Sequence, residues 1–166
     1  MDYTVRRART QDVPAVAALV AENTGSGNLL GKATVTLYED VQEFWVAERH
    51  DGAVVGCGAL HVMWEDLAEL RTVAVRAECQ GQGVGHALVA ALLEAAREVG
   101  VRRVFVLTFA VGFFARHGFE EIAGSPVAPE VYAELLRSYD EGVAEFLDLD
   151  RVKPNTLGNT RMLLRL

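Results

Sequence analysis

The stretch Leu67–His86 reads LAELRTVAVRAECQGQGVGH, and the fold follows from how its three parts join. Its first nine residues, LAELRTVAV, are an apolar strand with β-branched Val73 and Val75 at the end. A turn over Arg76–Cys79 leads into Gln80-Gly-Gln-Gly-Val-Gly85, and an Ala/Leu-rich helix runs from about His86 to Gly100. Strand, glycine loop and helix in this order place bare backbone N–H groups at a helix N-terminus. Four such groups have no intrahelical partner, and the helix dipole adds positive partial charge there. Glycine also lacks the Cβ that would hold an anion away. The loop is expected to cradle a phosphate or pyrophosphate.

The spacing narrows the choice. Gly81, Gly83 and Gly85 alternate, so the loop is not the dinucleotide fingerprint. No Lys-Ser or Lys-Thr follows the last glycine, so it is not a P-loop. On the strand itself, alternation puts Glu69, Arg71, Val73 and Val75 on one face and Leu70, Thr72 and Ala74 on the other. Two opposite charges in an apolar strand are costly to bury, so they are read as a structural salt bridge or as the lining of a site.

Outward from this stretch, Tyr3–Arg9 alternates as a first strand. Thr10 is the expected N-cap of a helix over about Gln11–Asn23, with Pro14 in its first turn. A glycine-bearing loop from Thr24 to Ala33 carries one cation, Lys32, ahead of a short helix over Val35–Gln42. Phe44–Glu48 and Ala53–Met63 form a hairpin about His50-Asp-Gly52, Asp-Gly being a strong turn signal. Gly56 and Gly58 within it point to a bulge or a close backbone approach. His61 is a candidate base, although a lone strand histidine is more often structural. Arg103–Thr108 is an interior strand, Val111–His117 a short helix closed by Gly118, and Glu120–Ala123 a short strand reached by a parallel crossover. Pro129–Tyr139 reads as a helix, the next nineteen or so residues as mixed and loop-like, and Arg161–Leu166 as a closing strand. Lys153, Asn155, Asn159 and Arg161 are the polar candidates of this last region.

Composition sets the outer limits. A chain of 166 residues, 51% hydrophobic and 23% charged, is globular and of single-domain length. No apolar run approaches the roughly 20 residues that span a bilayer. The N-terminus MDYTVRRART has no apolar h-region. Cys57 and Cys79 are too few for a disulfide framework or a Cys-rich zinc site, so no metal is expected and the cytoplasm is the default. A net charge of −7 argues against non-specific nucleic-acid binding.

Gln80-x-x-Gly83-x-Gly85, preceded by the V-A-V strand end, resembles the Q/R-x-x-G-x-G/A signature of the GNAT acetyltransferases. LYEDVQEFWVAE (37–48), GCGALHV (56–62), RVFVLT (103–108), FFARHGF (113–119) and LDLDRVKPNTLGNTRMLL (147–164) extend the likeness. Together they resemble the short, single-domain N-acetylglutamate synthases of arginine biosynthesis over nearly the whole chain. The longer bacterial synthases also carry an amino-acid-kinase-like domain, for which no counterpart is expected in these 166 residues.

The resemblance implies one GNAT domain over residues 1–166, an α/β fold of the α+β type. A mixed twisted sheet of about six to seven strands would be flanked by helices, its central parallel strands splayed. It implies acetyl transfer from acetyl-CoA to the α-amine of L-glutamate, with Glu69 as general base and the Val75 N–H facing the oxyanion. Val73, Val75 and Gln80, Gly81, Gln82, Gly83, Val84, Gly85 and His86 would hold acetyl-CoA. Lys32, Arg71 and Arg161 would bind the two carboxylates of glutamate. The apolar strand would raise the Glu69 pKa and Arg71 would oppose that rise. The family's tyrosine acid falls at Phe114, which leaves an unprotonated thiolate or another donor such as Tyr139. Homodimerisation stays open. The alternatives are a GNAT enzyme for another small amine or a protein N-terminus, and a non-catalytic CoA-binding regulator. Overall acidity favours a cationic acceptor, but distant charge is screened over about 8–10 Å, so the local Lys32 and Arg71 weigh more.

Overall fold

The computed structural model describes residues 2–25 and 31–166; the glycine at 27 lies outside them. Seven strands form one mixed sheet: β1 (Tyr3–Arg7), β2 (Phe44–Arg49), β3 (Val54–Trp64), β4 (Leu67–Val75), β5 (Arg103–Thr108), β6 (Glu120–Glu121) and β7 (Thr160–Arg165). Their order is β1-β2-β3-β4-β5-β7-β6. The helices are α1 (Val13–Gly25), α2 (Thr34–Glu39), α3 (Val84–Val99), α4 (Val111–Ala115), α5 (Pro129–Leu135), α6 (Glu141–Phe146) and α7 (Lys153–Thr156). Among the described residues, no helix is long and apolar enough to cross a membrane. The residues group into two compact units, Met1–His61 with Leu70–Val99 and Val62–Glu69 with Gly100–Leu166.

In the first unit β1 and β2 are antiparallel, as are β2 and β3. The second register slips between Ala47 and Glu48, where Ala47 faces Gly56 and Glu48 faces Val54. Val55 is the extra residue of that bulge. One core gathers Val16, Leu19 and Val20 of α1 with Leu37, Val46, Cys57 and Ala59. The other gathers Val84 and Leu88 of α3 with Ala47, Val55 and Cys79. Gly56 and Gly58 are where α3 comes close. A Cβ at Gly56 would meet Leu88 Cδ1 at 2.9 Å, and one at Gly58 would meet Leu92 Cδ1 at 2.8 Å. The expected bulge lies at Val55, beside Gly56, and what comes close to the two glycines is the side-chain ends of α3.

The start of α1 differs from the expected N-cap. A 3-10 turn over Thr10–Asp12 precedes the helix, and the Asp12 carboxylate rather than Thr10 accepts from the Arg9 N–H at 2.7 Å. Asp12 also takes Arg6 Nη1 at 2.8 Å and Nη2 at 3.0 Å, so one buried carboxylate joins β1 to the turn.

In the second unit β4 and β5 run parallel, pairing Leu67 with Arg103, Ala68 with Val104 and Glu69 with Phe105. Antiparallel β7 lies between β5 and β6, so β5 and β6 point the same way, as the crossover required. Asp66 anchors the start of β5: its carbonyl accepts from the Arg102 and Arg103 N–H groups, and its carboxylate pairs with the Arg103 guanidinium at 2.9 Å. Leu67, Phe105, Leu135, Phe146 and Leu163 form the core. The segment after residue 139 is more regular than its sequence suggests, because α6 and α7 both lie there and the Asp140 side chain caps α6.

Candidate active site

The glycine loop belongs to the first unit. Cys79 is buried in the α3 core and fixes the loop from below, while residues 80–83 are exposed. Gly81 has φ +73° and Gly83 φ +85°, left-handed values that a side chain would strain. Among the described residues, no heavy atom beyond Gly81 and its chain neighbours lies within 4 Å of the position a Gly81 Cβ would take. The two glutamines brace the turn: Gln80 Nε2 donates to the Val75 carbonyl at 3.2 Å and Gln82 Nε2 to the Glu78 carbonyl at 2.8 Å. What the loop offers a ligand is therefore backbone, not these amides. Helix α3 follows directly for sixteen residues, and its N–H groups begin bonding back at Ala87, to Gly83 O at 3.0 Å. Open left-handed glycines ahead of a long helix fit a pyrophosphate.

Strand β4 does not alternate simply. Thr72 has φ 58°, a left-handed conformation for a β-branched residue that costs about 1–3 kcal/mol. Its carbonyl accepts from the buried Cys57 Sγ at 3.5 Å. The kink separates the face assigned from the sequence. Val75 packs with the α3 core, and Val73 Cγ2 sits beside Gly58 and Leu92. Arg71 turns the other way: its Nη2 lies 3.7 Å from Glu43 Oε2, and Glu43 Oε1 meets His61 Nδ1 at 2.8 Å. His61 follows Cys57 and Ala59 on the α1 side of β3. Arg71 and the two valines thus occupy opposite faces, and His61 is bonded to Glu43. Lys32 is half-buried, two residues ahead of α2.

In the second unit, Glu69 is 3% exposed, an acid on a strand otherwise filled by Leu67 and Ala68. Its carboxyl group lies against Gly142 in the first turn of α6. Sequence reasoning missed Gly142; a glycine in a short helix carries no signal that names its distant neighbour. Arg161 donates to three backbone carbonyls. Its Nε donates to the Glu145 carbonyl at 3.3 Å, Nη1 to Gly124 at 2.7 Å and Nη2 to Phe146, with the guanidinium over the Phe105 ring. Burial lowers its pKa. The guanidinium ties β7 to the end of α6. Phe114 is buried edge-to-face against Phe119, ring centroids 5.4 Å apart, and has no proton to give. Tyr139 is 98% exposed.

Residues 29–119 match the acetyltransferase (GNAT) family, a span that contains Glu69, Arg71 and the glycine loop. The chain belongs to the GNAT acetyltransferases. It is 64% identical over 162 residues to a Mycobacterium tuberculosis protein named amino-acid acetyltransferase, covering 96% of this chain and 92% of that one. The crystal structure of Rv2747 from Mycobacterium tuberculosis in complex with CoA and NLQ has a TM-score of 0.95 at 64% identity, over 98% of this chain and 99% of that chain. N-acetylglutamate synthase from Neisseria gonorrhoeae, complexed with coenzyme A and N-acetyl-glutamate, has a TM-score of 0.78 at 26% identity. That match takes in all of this chain but 35% of the gonococcal one.

Proposed function

We propose that the chain transfers acetyl from acetyl-CoA to the α-amine of L-glutamate, in the cytoplasm, as a step of arginine biosynthesis. The observation that carries this reading is the buried Glu69 carboxylate on the strand that leads to the glycine loop. The 64% identity to an amino-acid acetyltransferase and the half-buried Lys32 and Arg71 support an anionic amino acid as acceptor.

An ammonium is no nucleophile, so Glu69 first takes its proton, directly or through one water. The amine then forms a C–N bond at the acetyl carbonyl carbon while the C–S bond breaks. The Val75 N–H is the donor assigned to the carbonyl oxygen. Backbone N–H groups from Gly81 to His86 hold the pyrophosphate, and Val73 and Val75 line the approach to it. Lys32 meets glutamate as a point charge and Arg71 through its planar fork. Phe114 cannot act as an acid and Tyr139 faces solvent, so the thiolate leaves unprotonated; the second proton, shed by the nitrogen as it becomes the amide, passes to water, and the thiolate takes one back from water.

The test is thiol release from acetyl-CoA with a panel of amines. L-Glutamate should give the highest kcat/KM, above uncharged and cationic acceptors. General-base assistance is worth about 10²–10⁴-fold, so Glu69→Gln should lower kcat by that order and leave KM for acetyl-CoA unchanged. A Glu69→Gln enzyme with wild-type kcat at saturating substrate removes Glu69 from the mechanism.

A further inference from the structure

Gly142 is the second residue of α6, buried, and outside the left-handed region of backbone space. Its backbone does not require glycine. Alanine would favour the helix more than glycine does. The reason for glycine lies in what a side chain would meet. The three nearest heavy atoms to a Cβ built there all belong to the Glu69 carboxyl group: Cδ at 2.7 Å, Oε1 at 3.0 Å and Oε2 closer still. Side-chain carbons do not settle at distances below 3.0 Å.

We infer that Gly142 is a positioning residue: the side chain missing from α6 makes the space in which the Glu69 carboxylate stands. This rests on the reading of Glu69 as the general base. The carboxylate is the end of a flexible side chain, whereas α6 is held by its Asp140 cap and by the buried Val143 and Phe146. A methyl group at 142 therefore moves the carboxylate and not the helix. The stability of the chain hardly changes, while the base shifts by on the order of 1 Å, enough to cost about 10²-fold in rate. A glycine kept for packing alone would show the reverse pattern.

The experiment compares Gly142→Ala, Glu69→Gln and the double variant in steady-state kinetics. Gly142→Ala should lower kcat about 10²-fold, with KM for acetyl-CoA and the thermal midpoint close to wild type. In the Glu69→Gln background the same alanine should change kcat no further, because the group it acts through no longer takes a proton. Additive losses in the two backgrounds overturn the inference. So does wild-type kcat in Gly142→Ala beside a slow Glu69→Gln, which leaves the base assignment standing. Full activity in both single variants removes the base assignment itself, and this inference with it. Should Gly142→Ala fail to fold, Gly142→Ala with Glu69→Ala must restore folding, since the second truncation removes the atoms the methyl meets. Failure to restore it also overturns the inference.

Discussion

Arg71 is held before any substrate arrives. Its guanidinium lies 3.7 Å from the Glu43 carboxylate and is largely buried, so its charge is balanced by that carboxylate. A substrate carboxylate would replace or join Glu43 as the partner of that guanidinium. Losing a charge-assisted hydrogen bond costs about 1.5–3 kcal/mol, roughly 10- to 100-fold in affinity. Arg71→Ala and Lys32→Ala should each raise KM for L-glutamate by that order and change KM for acetyl-CoA much less. Arg71→Lys should recover only part of the loss, since a lysine keeps the charge and not the fork. Equal shifts in the two KM values would refute both assignments. At this scale Glu69 and Arg71 were legible because charges on an apolar strand need a reason. Glu43, Gly142 and the carbonyl partners of Arg161 were not legible. Each is defined by a partner on another element, and spacing along the chain carries no record of it.

The strands and long helices were readable for a related reason. LAELRTVAV and RVFVLT are apolar runs with clear ends, and the sixteen-residue α3 repeats its apolar positions over several turns. Six-residue α6 and four-residue α7 complete too few turns to display a stripe. The kink at Thr72 was invisible because threonine is an ordinary strand residue, and it reversed the faces of Val73 and Val75. The junction of β1 and α1 was misread through Thr10, and it yields its own prediction. The pKa of Asp12 is lowered from the ordinary 3.8, first by its hydrogen bonds from Arg6. A depressed folded-state pKa contributes stability that is present above the unfolded value and lost as pH falls through the folded one. Asp12→Asn should therefore destabilise the chain at pH 7, by about 1–3 kcal/mol. The gap to wild type should close as pH drops below about 4, the ordinary carboxylate range. Denaturant midpoints measured from pH 7 down to pH 2 check this; a gap that stays constant would mean the carboxylate charge contributes nothing.

For the whole molecule, the net charge of −7 argues against non-specific nucleic-acid binding but does not point to the acceptor, because recognition would fall to a few local cations and backbone donors. The mixed sheet, by contrast, was implied by the resemblance to the GNAT acetyltransferases, which starts from the one stretch that joins strand, glycine loop and helix. The unit carrying that loop also holds both cysteines, each 0% exposed, which makes thiol chemistry a report on how the unit opens. Burial pushes the Cys57 pKa from the ordinary 9.0 to about 12. A raised folded-state pKa contributes stability that is complete below the unfolded value and lost as pH rises towards the folded one, so the chain should weaken between about pH 9 and 12. At pH 8 neither thiol should react with a disulfide reagent until the unit opens, and both should react at once in denaturant. Acetyl-CoA binding only the closed form would add about 2.7 kcal/mol at 100 times its Kd, slowing labelling roughly 100-fold. Cys79 adjoins the glycine loop and Cys57 lies on β3, so local loop opening would expose Cys79 alone. Acetyl-CoA should then protect Cys79 at least as strongly as Cys57. Rapid labelling of Cys57 in the native protein at pH 8, or labelling of Cys79 that ignores acetyl-CoA, would contradict this account of the loop and its core.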